Sequence, residues 1–318
     1  MRIRVLVNGA YPNIQIAMIV RIILALSVIP GILIPGLAEW LSPLLFPSLF
    51  CIMLFSFCRT SILDVQAKFS GNKGLILWIV CWQMLVTPLL AVLIMGVFGF
   101  SGIWAEFVLL TTCASSVFGA MAFVSTLGLD ARVSMVCMLF STAVMPVVLL
   151  TIGIGDSDVS LVQAASTYST RIIVFIVIPA LMGFGYRYIK VRQKWSNHDS
   201  VLGLFTTVSL VIFAIAIMQG VGEIFYRDTV YFFNQLFWVL CLHLFLFVLT
   251  RWIFSRFNNS VATVAGVLSA YRNLGLTMAI MGPMFWDRYA FLVALWQIPM
   301  YLSPFLLSVL KEKIHRSD

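Results

Sequence analysis

One pattern limits this chain more than any other. Apolar runs of about twenty residues recur along its length, separated by short polar connections. Twenty residues of helix span about 30 Å, the thickness of the hydrocarbon core of a bilayer. There, every backbone polar group must be bonded within the protein, so apolar runs of this length are expected to be helices. Ten such runs fit, at 13–34, 40–57, 75–96, 103–127, 134–154, 167–186, 201–220, 232–253, 261–281 and 290–310. Hydrophobic residues make up 62% of the 318 and charged residues only 10%, against about 25% charged in a soluble domain. Such a chain cannot cover itself with polar surface. The reading is an all-α polytopic membrane protein, and its net charge of +8 is no sign of nucleic-acid binding.

What matters is where the charges fall. With the N-terminus inside, fifteen of the twenty Lys and Arg lie on the inner side, at 2–4, 59–73, 132, 187–194, 251–256 and 311–316. Only Arg227 and Arg288 lie outside, while Arg21, Arg171 and Arg272 fall within runs. An odd miscount of spans would scramble this asymmetry, so both termini are expected to be cytoplasmic. The two arginines before the first run are not followed by a small-residue cleavage site, which favours a first membrane helix over a removed signal peptide. Six cysteines lie in or beside apolar runs with no CxxC pattern, and read as small packing residues.

Ten spans divide into two fives, and an odd-numbered half permits an inverted repeat. "RIILALSVIP" (Arg21 to Pro30) opens the first half, and "RIIVFIVIP" (Arg171 to Pro179) opens the second. The halves are expected to be residues 1–160 and 161–318. Spans 4 and 9 then correspond, and both carry polar residues at mid-depth: "TTCASSVFGAMAF" (Thr111 to Phe123) and "SAYRNLGL" (Ser269 to Leu276). Inverted-repeat transporters place broken helices there, with half-helix ends facing substrates and ions. Interruptions are therefore expected near Ser115–Gly119 and Ser269–Asn273, where the two helices should cross.

Several of these stretches resemble the bile acid:sodium symporter (BASS) superfamily. "QMLVTP" places Gln83 five residues before Pro88, and "SMVCMLFSTAVMP" carries Ser134, Ser141-Thr142 and Pro146 at the family's spacing. Asp130 matches an acidic loop residue, Cys113 the cysteine at the fourth-span break, and "YRNLGL" fills the ninth-span Gln-Asn slot. The resemblance implies a panel of spans 1, 2, 6 and 7, a core of spans 3–5 and 8–10, and secondary transport of a small organic anion by alternating access, usually with sodium. It also implies a bacterial-type protein of the inner membrane. The partners it implies are the anion and the lipid bilayer; the oligomeric state stays open, and a monomer suffices.

Departures from that pattern bear on the ion. Of the first sodium site Ser134 remains, but Met138 stands at the Thr position and Leu268 at the Glu position. Of the second, Gln83 remains, but its partner slot holds Arg272. A hard cation wants oxygen ligands, so the departures count against sodium, and no other cofactor or metal is implied. A charge at mid-depth costs about 2.5–3.5 kcal/mol on insertion scales and asks for a partner or a purpose. Arg272 reads as a built-in cation in the place of sodium, with Gln83, Ser269 and broken-helix carbonyls taking some of its donors and an anionic substrate taking the rest. The other reading is a structural arginine that binds carbonyls and holds the crossover together. The expected substrate-binding set is Arg272, Asn273, Ser269, Ser115, Ser116, Gln83 and Ser134.

Other polar residues read more simply. His243 in span 8 is expected to be a hydrogen-bonded structural histidine, Glu106 to meet water at the outer end of span 4, and Arg21 and Arg171 to snorkel to an interface. Asp156 and Asp158 form a solvated outer loop. Trp40, Trp104, Trp195 and Trp252 read as interface belts. Alternatives are a sodium-coupled anion symporter, an arsenite-type efflux permease using the Cys113 thiolate, and an integral membrane enzyme. The last lacks a nucleophile–base pair, so no catalytic residue is assigned.

Overall fold

A computed structural model describes residues 22–117, 119–152, 161–192 and 198–317. Arg2, Arg4, Arg21, Asp156, Asp158, Lys194 and Trp195 lie outside the described residues. Among the described residues every named element is a helix, and the one extended pairing is an isolated antiparallel bridge between Ser116 and Arg272.

The described residues form fourteen helices in chain order. They are α1 (Ile22–Leu33), α2 (Pro35–Arg59), α3 (Ile62–Gly71), α4 (Lys73–Phe98), α5 (Ile103–Cys113), α6 (Gly119–Thr126), α7 (Ala131–Ile152) and α8 (161–192). Then come α9 (His198–Ala216), α10 (Val221–Arg227), α11 (Thr229–Phe254), α12 (Asn259–Ala270), α13 (Leu274–Met281) and α14 (Pro283–Ser317). Among the described residues five stretches are long and apolar enough to cross a membrane: Pro35–Arg59, Lys73–Phe98, Ala131–Thr151, Ser166–Lys190 and Thr229–Phe254. The bent pair Val201–Ala216 and Val221–Arg227 makes a sixth if it is one span. The chain is therefore an all-helical integral membrane protein.

Local chemistry sets the boundaries. Side-chain oxygens of Ser61, Asp228, Asn258 and Asn273 accept main-chain N–H bonds at the starts of α3, α11, α12 and α13. This meets donors that a helix start leaves unpaired. Packing gathers the helices into two neighbourhoods. The Leu45–Arg59 part of α2 lies along α8 and α9, which also meets α1. In the other, α11 lies along α12 and α14, while α7 meets α3, α4, α6 and α12. Most of α7 is enclosed by protein, whereas α8 turns most of its surface outward.

Candidate binding site at two paired helix breaks

Both expected interruptions are present. Helix α5 stops at Cys113, Ala114 turns to an extended conformation, and helix resumes at Gly119. Helix α12 stops at Ala270 and α13 begins at Leu274. The unwound segments recover their lost bonds from each other: Val117 N–H donates to Tyr271 O at 2.8 Å, and Asn273 N–H donates to Ser115 O at 2.7 Å. Ser116 N–H donates to Ser141 Oγ on α7 at 3.2 Å. Such pairing is what allows non-helical backbone at membrane depth.

The Arg272 side chain fills the meeting point and is 0% exposed. Nε donates to Ser269 O at 2.8 Å; Nη1 donates to Ala114 O at 2.8 Å and Gln83 O at 3.3 Å; Nη2 donates to Thr87 Oγ1 at 3.2 Å. Two of these acceptors lie at the C-terminal ends of α5 and α12. A helix C-terminus carries roughly half a negative charge on carbonyls that lack a helical partner. Two such ends together match one guanidinium.

The third carbonyl is free for a different reason. Residues Trp82–Val86 form a π turn in α4, so the Thr87 N–H reaches back to Trp82 O. In that register Gln83 O would take its bond from residue 88, which is proline and has no N–H. The vacated acceptor receives Thr87 Oγ1–H at 2.8 Å and Arg272 Nη1.

All seven residues expected at the site are buried. Six converge. Gln83 and Ser269 serve Arg272 through main-chain oxygens, and Ser115 O holds Asn273 N–H. Ser116 Oγ lies 3.1 Å from Gln83 Oε1 and 2.9 Å from Leu268 O. Ser134, on α7, is buried without a hydrogen-bond partner among the described residues, as are the Ser115 and Ser269 hydroxyls and Gln83 Nε2. Arg272 thus faces two C-terminal helix ends, and the first turn of α13 is capped by Asn273 Oδ1, which accepts Leu276 N–H at 3.2 Å. Phe213 of α9 covers that turn, and a Cβ on Gly275 would lie 2.6 Å from its ring.

Thr87, Ala114, Ser141 and Tyr271 were missed as site residues. Thr87 had a signal, since it stands four residues after Gln83 and directly before Pro88. Tyr271 bonds to Ser303 through its hydroxyl, and its ring lies 4.8 Å from Phe123 and 5.5 Å from His243, centre to centre. The expected hydrogen bond of His243 is not found at Nδ1, which is buried without a partner among the described residues; the ring packs against Tyr271 and Trp296. Glu106, expected to meet water, accepts from Arg288 Nη2 at 2.6 Å and from the Tyr289 hydroxyl.

No family model matches the chain, and no curated protein matches it.

Proposed function

We propose that this protein is a secondary transporter of a small organic anion, built on the ten-span, inverted-repeat plan of the BASS superfamily, with Arg272 standing where relatives bind sodium. One observation carries the reading: a fully buried arginine joins the ends of two broken helices through their free carbonyls. A break at mid-depth in two spans costs backbone bonds, and such breaks accompany ion and substrate sites in transporters. Helix α1, the broken pairs α5–α6 and α12–α13, and the 35-residue α14 complete ten spans on this plan. The two packing neighbourhoods correspond to its panel and core.

The residues present do not fit a resident sodium in the second site. The carbonyl oxygens of Gln83, Ala114 and Ser269 hold guanidinium N–H groups, and Leu268 and Met138 bring apolar side chains to the first. A hard cation needs several oxygens of its own. Arg272 keeps its charge at every physiological pH and cannot leave. The helix ends are thus neutralised without ion uptake, which points to facilitated diffusion, exchange or proton coupling.

On this reading the anion meets the crossover on the side facing α9. Withdrawal of Phe213 from Gly275 uncovers Asn273 and the first turn of α13, where main-chain N–H groups favour an anion. Unpartnered hydroxyls at Ser115 and Ser269 supply further donors. A thermal-shift screen of organic anions on the purified protein tests this. At least one anion should raise the melting temperature in choline buffer, and Asn273→Ala should reduce that rise. Stabilisation by sodium alone, with no anion active without it, would contradict the reading.

A further inference from the structure

Arg171 was expected to snorkel to an interface, but it reaches across to another helix. It lies in α8 just before the π turn Ile173–Val177, and its Nη1 donates to Ile280 O at 3.2 Å. Ile280 belongs to the last turn of α13, where carbonyls have no helical partner and carry the negative end of the helix. The guanidinium lies directly over Gly282. A Cβ at that glycine would sit 1.5 Å from Nη1 and 2.3 Å from Cζ. Gly282 also has φ +101, in a region L side chains rarely adopt, while its N–H donates to Met278 O at 2.8 Å. Glycine is therefore required twice, for the backbone and for the seat of the guanidinium. A glycine after a helix is common; a cation from a different helix seated on it is not part of that motif.

The contact joins the two packing neighbourhoods: α8 belongs to one, and α13 packs on α14 of the other. The charge partition of the sequence puts residues 171 and 280–282 near the outer face. We infer that Arg171 and Gly282 form an outer latch, closed in this structure, whose release lets α8 part from α13 and opens the anion path to the outside. This rests on the alternating-access reading given above. The bond is charge-assisted and sits at a helix end, so it is strong enough to bias two states yet involves a single side chain.

The test uses the full chain in liposomes, free of native cysteines, with spin labels at Thr170→Cys on α8 and Asp287→Cys on α14. Without Arg171 changes, the distance distribution should be dominated by one short population. Arg171→Gln removes the charge and shortens the side chain, and Gly282→Ala displaces the guanidinium while keeping its charge. Each should raise the longer population about tenfold or more, the ratio set by losing one charge-assisted hydrogen bond. Arg171→Lys keeps the charge without the planar fork and should fall between. An unchanged distribution in every variant that folds, judged by elution and helical signal, overturns the latch. Anion uptake by the unlabelled protein is measured in parallel. Uptake with unresponsive distances refutes the latch alone, whereas responsive distances without uptake refute the transport reading alone.

Discussion

Arg272 satisfies main-chain oxygens that the two breaks and the π turn leave without donors. Arg272→Met keeps the bulk of the side chain but strips Ser269 O and Ala114 O of the donor each has from Arg272, and removes one of two donors at Gln83 O. Each buried group left unsatisfied costs about 1–3 kcal/mol, so a loss of several kcal/mol is expected, read as a lower midpoint in denaturant. Arg272→Lys should lose less, since one ammonium can still serve some of the carbonyls. A stable Arg272→Met protein would mean those oxygens are satisfied in another way. Asp130 is the matching case outside the membrane. Burial raises its carboxyl, but the Lys68 hydrogen bond at 2.5 Å, the Arg132 N–H and the two nearby cations outweigh it and hold the group below its ordinary value of 3.8. A lowered folded value means the stabilisation is present above about pH 3.8 and is lost as pH falls through the folded value. The group is 40% exposed, so the effect is about 0–1 kcal/mol after solvent screening. Asp130→Asn should remove that acid-side loss; an identical pH profile in the mutant would dismiss the pair as a contributor.

Helices α5, α6, α12 and α13 are held at their broken ends by one another more than by their own length. Residues 114–117 and 271–273 should therefore open as one unit in hydrogen exchange. Peptides covering both breaks should exchange together, and more slowly than the connection at 99–102. A first break that exchanges as fast as that connection would separate the two. These breaks were legible in the sequence, because clusters of small and polar residues inside two long apolar runs are costly in an unbroken membrane helix. The identity of the acceptors was not. Gln83 O is free only because α4 adopts a π register ahead of Pro88, and periodicity does not report register. The contact of Arg171 was hidden for another reason. Its partner lies 109 residues away, and one cation near a span end looks the same whether it snorkels or caps a neighbour. His243 was read as bonded from its type alone, and only packing against Tyr271 and Trp296 fixes what surrounds it.

For the whole molecule, the charge partition predicts a single orientation. Cysteines introduced at 190–197 should react with an impermeant reagent only from the cytoplasm, and those at 156–160 only from outside; the reverse pattern would invert every inner and outer assignment. The membrane class followed from composition, and the five or six membrane-capable helices agree with it. On the proposed reading a tethered guanidinium replaces a bound sodium. Anion uptake into proteoliposomes, with all sodium replaced by choline, tests this. Uptake should persist undiminished, should fall strongly in Arg272→Lys, and should not become sodium-dependent in Arg272→Gln, because Leu268 and Met138 still deny sodium its oxygens. Uptake that collapses in choline and returns with a sodium gradient would mean that sodium is bound and coupled, and that Arg272 does not replace it.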